Sequence, residues 1–289
     1  MLTLITVNFN NAAATSRLVQ ALAAQSDRNF ELIIVDNAST VEDRAVLGEI
    51  VSSSTLSVRV LWSDVNDGFA AGSNMGIRLA FQQGADWAVL INNDALAGGD
   101  AVASLRQMLA GIQPAIVALP LLERGAIVLA GRIQWLSSTL PHMFKTPRPN
   151  DRIYAVGGGM AIHRAIFQRI GPLDERYFLY FEDAEYSERA RYAGYPIQTA
   201  DIPALSHEVS ATTSRLGSPL LLHYHMRNAL LFNQTHGPWW VRATLPFWAG
   251  LVMLKQGIKF LALPSRRPAA RAIAAGIVDY YSGHYGRIA

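Results

Sequence analysis

Apolar and polar residues come in blocks along most of the chain, and the blocks alternate between two periods. Leu2 to Val7 is a β-rich apolar run that closes in Asn8-Phe9-Asn10. Thr15 or Ser16 is placed to cap a helix running to about Gln25, with Leu18, Val19 and Leu22 on one face. Phe30 to Val35 predicts a second strand ending in Asp36-Asn37, Val41 to Val51 a helix, and Val58 to Trp62 a third strand. Ala70 to Gln83 reads as helix. Trp87 to Ile91, five apolar residues, then stops abruptly at Asn92-Asn93-Asp94. Further on, the pattern predicts a helix over Asp100 to Ala110 and a strand over Ala115 to Leu119. Tyr154 to Ile162 is strand-like around Gly157-Gly158-Gly159. Two helices follow, Arg164 to Ile170 and Glu182 to Tyr192, then a short strand over Ile197 to Ala200. Leu121 to Asn150, with Pro141, Pro147 and Pro149, has no clear period and reads as a long mobile or substrate-dependent loop.

Strands alternating with helices imply βαβ units and a largely parallel sheet, hence an α/β fold. Parallel strands align their carboxyl ends along one edge, where open α/β sheets bind ligands. Asn8, Asp36 and Asn92 to Asp94 all stand at such ends, so the pattern predicts that they converge on one crevice.

Composition narrows the classes. The 289 residues are 51% hydrophobic and 16% charged, which supports a sizeable core and argues against disorder. A net charge of +3 is too small to imply nucleic acid, and no Arg/Lys–aromatic cluster or zinc-finger spacing is present. With no cysteine, a disulfide scaffold and a thiolate metal site are both excluded. Met1 to Ile5 lacks the basic region of a signal peptide.

Asn92-Asn93-Asp94 offers a carboxylate with neighbouring oxygen donors. That set suits a hard divalent cation holding phosphates, and it also suits an ordinary Asn/Asp turn. Asn66 to Gly76 carries glycines where backbone turns or approaches a neighbour, without the spacing of a dinucleotide fingerprint or a phosphate-binding loop. Phe181-Glu182-Asp183-Ala184-Glu185 holds three carboxyls in a predicted first helical turn, where acids also simply complement the helix dipole. Helical spacing puts Glu182 and Glu185 on one face and Asp183 elsewhere. The aromatic setting of Phe178, Tyr180 and Phe181 would raise a carboxyl pKa toward that of a general base. His207 is either a core histidine or a nitrogen ligand suited to Mn²⁺.

Taken in order, Val7-Asn8-Phe9-Asn10, Val35-Asp36-Asn37-Ala38-Ser39, Asn66 to Gly76, Asn92-Asn93-Asp94, the three glycines, the Glu182-Asp183 segment and His207 resemble family 2 glycosyltransferases, in particular the bacterial rhamnosyltransferase-like branch. The resemblance spans roughly residues 1 to 235. It implies a GT-A fold: a mixed, mostly parallel sheet flanked by helices, with a C-terminal helical appendage over 236–289. It implies an inverting transfer from a nucleotide-diphosphate sugar, dTDP-rhamnose being the first guess, to a hydroxyl of a lipid-linked or polysaccharide acceptor. Asn8, Asp36, Asp67, Asn74, Asn92 and Asn93 would bind the nucleotide sugar, with Asp36 facing the base. Asp94 and His207 would hold Mn²⁺ or Mg²⁺, and Asp183 would be the catalytic base. Gly158, Gly159, Glu182 and Arg227 would form the acceptor or sugar pocket, Gly157 to Gly159 letting backbone approach closely. Asn92 stands where the family's first Asp would be; an amide oxygen is the weaker ligand.

Three alternatives compete. A nucleotidyltransferase would show a Gly-rich basic loop after the first strand, and Asn10-Asn11-Ala12-Ala13-Ala14 has neither Gly nor Lys. An inactive relative that only binds nucleotide or carbohydrate would not need Asp94, Asp183 and His207 together. A glycosidase needs two carboxyls flanking a sugar but no nucleotide pocket.

The C-terminal segment opens on Trp239-Trp240. Phe247 to Leu263 is too short and too polar to predict a membrane span. Lys255 and Lys259 share one helical face; Trp248, Leu251, Leu254, Ile258 and Leu261 lie mostly opposite, and Arg266, Arg267 and Arg271 follow. That pattern predicts a helix lying in an anionic membrane surface, with the protein peripheral on the inner face of a bacterial membrane. The alternative is a helical hairpin that packs on the catalytic part or in a homodimer.

Overall fold

The computed structural model describes residues 1–96, 98–207 and 218–288, with the side chains of His207 and Ser218 outside that description. The chain opens with β1 (Leu2–Asn8), α1 (Ala12–Ala23), β2 (Phe30–Asn37), α2 (Val41–Ser53), β3 (Val58–Ser63), α3 (Gly68–Gln82) and β4 (Trp87–Ile91). These four strands pair in parallel in the order β3-β2-β1-β4, so their carboxyl ends share one edge. β5 (Ala95–Leu96) and α4 (Ala101–Ala110) follow, then β6 (Ile116–Ala118).

The 121–150 stretch is not a featureless loop. It holds β7 (Leu121–Glu123), β8 (Ala126–Val128), β9 (Ala130–Arg132) and β10 (His142–Met143), and β11 (Ile153–Tyr154) comes just after. β9 to β11 form a three-stranded antiparallel sheet. These strands of two or three residues, set among charged and proline-bearing turns, imprint no readable alternation. β12 (Gly159–His163), α5 (Arg164–Ile170), a 3₁₀ turn at Glu175–Tyr177, α6 (Glu182–Tyr192), β13 (Ile197–Thr199) and β14 (Leu205–His207) complete the α/β part. β12 runs antiparallel between β4 and β6, and β13 closes the seven-stranded sheet at the far edge. The sheet is therefore mixed and mostly parallel. β14 lies between β5 and β7 in a small four-stranded sheet that β8 completes, with His207 opposite Ala95.

The central strands are apolar on both faces because helices cover both. Leu4, Leu32, Ile34 and Val89 face Leu18, Leu22, Leu47 and Leu105 of α1, α2 and α4. Ile5, Ile33, Ala88 and Leu90 face Ala70, Ile77, Ile166 and Tyr186 of α3, α5 and α6. Helix α1 begins at Ala12, earlier than the Thr15 or Ser16 cap predicts. Thr15 is buried within the helix; its hydroxyl donates to Asn8 Oδ1 at 2.9 Å and accepts from Asn93 at 3.1 Å.

Three helices follow: α7 (Ser218–His236), α8 (Trp239–Ala262) and α9 (Arg267–Ser282). They pack on one another through Met226, Leu230, Leu245, Ala249 and Ile277. Among the described residues the helical layer takes in α7 from Ser218, inside the span assigned to the catalytic part by sequence. Its Ala229 and Phe232 pack on Tyr177 and Phe181.

Candidate active site

A cavity of about 500 Å³ opens between the carboxyl edge of the sheet and α7. Its lining draws on segments far apart in sequence: Val7 and Phe9 at the end of β1, Asn37 at the end of β2, Asn66 and Gly68 at the start of α3, Asn92 to Asp94 after β4, Gly157 and Gly158 before β12, Phe178 to Asp183, and Tyr224 and His225 of α7. Asp94 and Asp183 therefore share one pocket.

Asp183 is held by two backbone donors. Gly157 N–H donates to Oδ2 at 2.9 Å and Ala184 N–H to Oδ1 at 2.7 Å. Burial pushes its carboxyl above the usual range, and those two bonds oppose the shift. Glu182, the first residue of α6, also lines the cavity beside Asp183, which the helical-spacing expectation places on another face. Its Oε2 is buried with no partner among the described residues. Burial first, and then the Asp183 charge, raise the Glu182 pKa well above normal. Of the two, Asp183 with its N–H donors ionises first and Glu182 keeps the proton. Glu185 turns the other way, to Arg189 at 2.7 Å and His236 at 3.3 Å.

The turn that delivers this pair is strained. Phe178, Tyr180 and Phe181 have φ of 52°, 70° and 74°, the left-handed region that costs an ordinary residue about 1–2 kcal/mol each. One buried side chain holds it: Asn228 Nδ2 donates to the carbonyls of Tyr177, Leu179 and Tyr180 at 2.8, 2.9 and 2.9 Å. Arg227, expected in the acceptor pocket, does not line the cavity. It is 1% exposed, its Nε donates to Asn228 Oδ1 at 3.1 Å, and it thereby fixes which way that amide points. Gly68 belongs to the same construction. Its φ is 93°, and a Cβ there would sit 2.2 Å from the Phe178 carbonyl oxygen.

Several expected nucleotide-sugar residues sit beneath the lining rather than in it. Asn8 Nδ2 donates to Asp36, Ser39 and Asp43, at 3.2, 3.1 and 2.7 Å. Asp36 is fully buried and takes Arg44 Nε at 2.7 Å, so its oxygens are engaged inside the protein rather than facing a base. Asn93 lines the cavity and ties that network to it, donating to Thr15 at 3.1 Å and Asn8 at 3.4 Å. Asp67 is exposed, while its neighbours Asn66 and Gly68 line the cavity. Asn74 faces away: it exchanges hydrogen bonds with the Leu173 backbone and donates to Glu175 at 2.8 Å. Gly159 lies in β12 against Leu119 and Leu121, outside the cavity. Gly158 does line it, but its bare Cα makes room for Asn92, whose Nδ2 would be 2.6 Å from a Cβ. The close approach is to a site side chain.

Asp94 is 6% exposed and lines the cavity. His207 pairs in backbone register with Ala95, next to Asp94; its side chain lies outside the described residues. Among the described residues no three His, Asp or Glu side chains gather into a complete metal cage. A cation shared with substrate phosphates needs only one or two protein carboxylates, and a buried carboxylate beside amide oxygens is that kind of donor set.

A family model described as Glycosyl transferase family 2 matches residues 3–171. The chain belongs to this family. This glycosyltransferase is 24% identical over 240 residues to the low-salt glycan biosynthesis hexosyltransferase Agl10 of Haloferax volcanii, covering 80% of this chain and 74% of that one. It is 22% identical over 270 residues to the N-acetylglucosaminyl-diphospho-decaprenol L-rhamnosyltransferase of Mycobacterium tuberculosis, covering 83% and 86%. In structure it is similar to the mannosyltransferase PcManGT of Pyrobaculum calidifontis, solved with GDP-Man and Mn²⁺, with a TM-score of 0.57 at 16% identity over 97% of this chain and 86% of that one. The fold is GT-A.

Proposed function

We propose that this glycosyltransferase moves a sugar from a nucleotide-diphosphate donor to an acceptor hydroxyl in one inverting displacement. The observation that carries the reading is the meeting of Asp94 and Asp183 across one cavity. Asp183, its basicity raised by burial, takes the proton of the acceptor hydroxyl as that oxygen attacks the anomeric carbon. Glu182, protonated, donates a hydrogen bond to a sugar hydroxyl. Asp94, with His207 beside it in register, would hold Mn²⁺ or Mg²⁺, which when bound neutralises charge on the diphosphate as a Lewis acid. Phe9 offers a ring to the nucleoside, and Asn37 and Asn66, bonded to each other at 2.9 Å, wall that side of the cavity.

The mycobacterial relative's name supports a deoxyhexose donor, with dTDP-rhamnose first to be tested, and a lipid-linked acceptor. The exposed apolar face of α8 supports a membrane surface as the place of work. A thermal-shift panel of nucleotide sugars with and without Mn²⁺ identifies the donor. Asp183→Asn should then lower turnover by about 10²–10⁴-fold while nucleotide affinity stays near wild type; retained turnover rejects the assignment of the base.

A further inference from the structure

The last described segment returns to the active site. Gly283 caps α9 in the left-handed conformation, and the backbone then runs back over the catalytic part. Gly286 N–H donates to the Arg176 carbonyl at 2.9 Å, in the 3₁₀ turn that precedes the Glu182-Asp183 segment. Ile288 N–H donates to Tyr224 Oη at 3.0 Å, and the Tyr224 ring stacks on Phe178 at 5.1 Å. The Arg176 guanidinium lies over the Tyr285 ring. Between these two backbone anchors stands Arg287, in the cavity lining.

The charge of that lining makes its presence informative. Asp94, Glu123, Glu182 and Asp183 contribute four carboxyls. Burial lowers the His225 pKa to about 4, so that ring is neutral at physiological pH. Arg287 is the one arginine or lysine among the described residues lining the cavity, and it forms no hydrogen bond or ion pair with any described residue. A permanent cation on a doubly anchored backbone, unpaired among the described residues and beside a carboxyl-rich pocket, can offer its donors to an anion from outside. A planar guanidinium matches two phosphate oxygens at once.

We propose that Arg287 binds a phosphate group of a substrate. This deepens the glycosyl-transfer reading and rests on it: both the donor and a lipid-linked acceptor carry a diphosphate. The segment lies outside the span of the family match, so residues common to the family do not assign it.

Direct titration of the full-length protein separates the two sources. The probes are UDP, GDP and dTDP, each with Mn²⁺, and geranylgeranyl diphosphate against geranylgeraniol. The variants are Arg287→Ala, Arg287→Lys and Arg287→Glu, with Arg169→Ala, an exposed cation on α5, as control. If the partner is the donor, Arg287→Ala weakens the nucleoside diphosphate that wild type binds by about tenfold, Arg287→Glu by more and Arg287→Lys by less, and the difference shrinks with added salt. If it is the acceptor, the loss is confined to geranylgeranyl diphosphate and is absent for geranylgeraniol. Wild-type affinity of Arg287→Ala for every phosphate probe overturns the inference and leaves the glycosyl-transfer reading standing. Failure of the wild-type protein to bind either a nucleoside diphosphate or geranylgeranyl diphosphate overturns both.

Discussion

Adjacent carboxyls on one turn do different work because their surroundings differ. Asp183 receives two backbone N–H groups, while Glu182 Oε2 receives nothing from the described residues. That difference gives a stability prediction with a definite sign. The Glu182 pKa is raised in the folded state above its unfolded value of about 4.3. Below pH 4 the group is protonated in both states and costs nothing. As pH rises past the unfolded pKa, only the unfolded chain ionises, and stability is lost progressively up to the folded pKa. Glu182→Gln removes this term and keeps an N–H donor. Its melting temperature relative to wild type should therefore climb between pH 5 and pH 8; a flat difference across that range would show Glu182 ionised in the folded protein. At this scale the sequence was legible for Asp94, Asp183 and Glu182, which all line the cavity. It was not for Asn8, Asp36 and Asn74, because a polar residue at a strand end or early in a helix can serve its own fold as readily as a ligand. Only hydrogen-bond partners separate the two.

The elements show the same division. Five-residue and longer strands, and helices with an apolar face, announced themselves through their periods. The strands of 121–154 and the cavity wall supplied by α7 did not, since no local pattern says which distant helix a strand tip will meet. The late Arg227-Asn228 pair illustrates this: Arg227 looked like the functional member, yet Asn228 holds the turn that carries the base. Removing it exposes the cost of that turn. Asn228→Ala removes the amide that three carbonyls share and leaves three residues in a conformation worth about 1–2 kcal/mol each. Unfolding in urea should show a loss of about 2–4 kcal/mol, and the surviving folded enzyme should lose more in kcat than in donor KM, since Asp183 rather than the nucleotide side is misplaced. Wild-type kcat at reduced stability would show that the turn keeps its aim without the clamp.

At the scale of the molecule, helix α8 of the C-terminal segment presents two unlike faces. One face of α8 packs on its neighbours through Val241, Leu245, Ala249 and Gln256, and Trp248, expected on the outward face, joins that packing. The other face leaves Phe247, Leu251, Leu254, Ile258 and Leu261 between 50% and 77% exposed, at alternating spacings of four and three residues. From Trp239 to Val278 there are six Lys or Arg and no Asp or Glu. Among the described residues no helix is long and apolar enough to cross a membrane. An apolar stripe in a purely cationic frame suits an anionic bilayer surface, where side-chain burial and about 1 kcal/mol per basic residue add. Wild-type protein should cosediment with phosphatidylglycerol vesicles, weakly with phosphatidylcholine, and less at high salt. Leu254→Glu with Ile258→Glu should reduce partitioning at least about tenfold. The melting temperature should hold, because both side chains already stand in water. Equal binding by the double variant would move the contact off this face, and equal binding to both lipids would remove the electrostatic part of the argument.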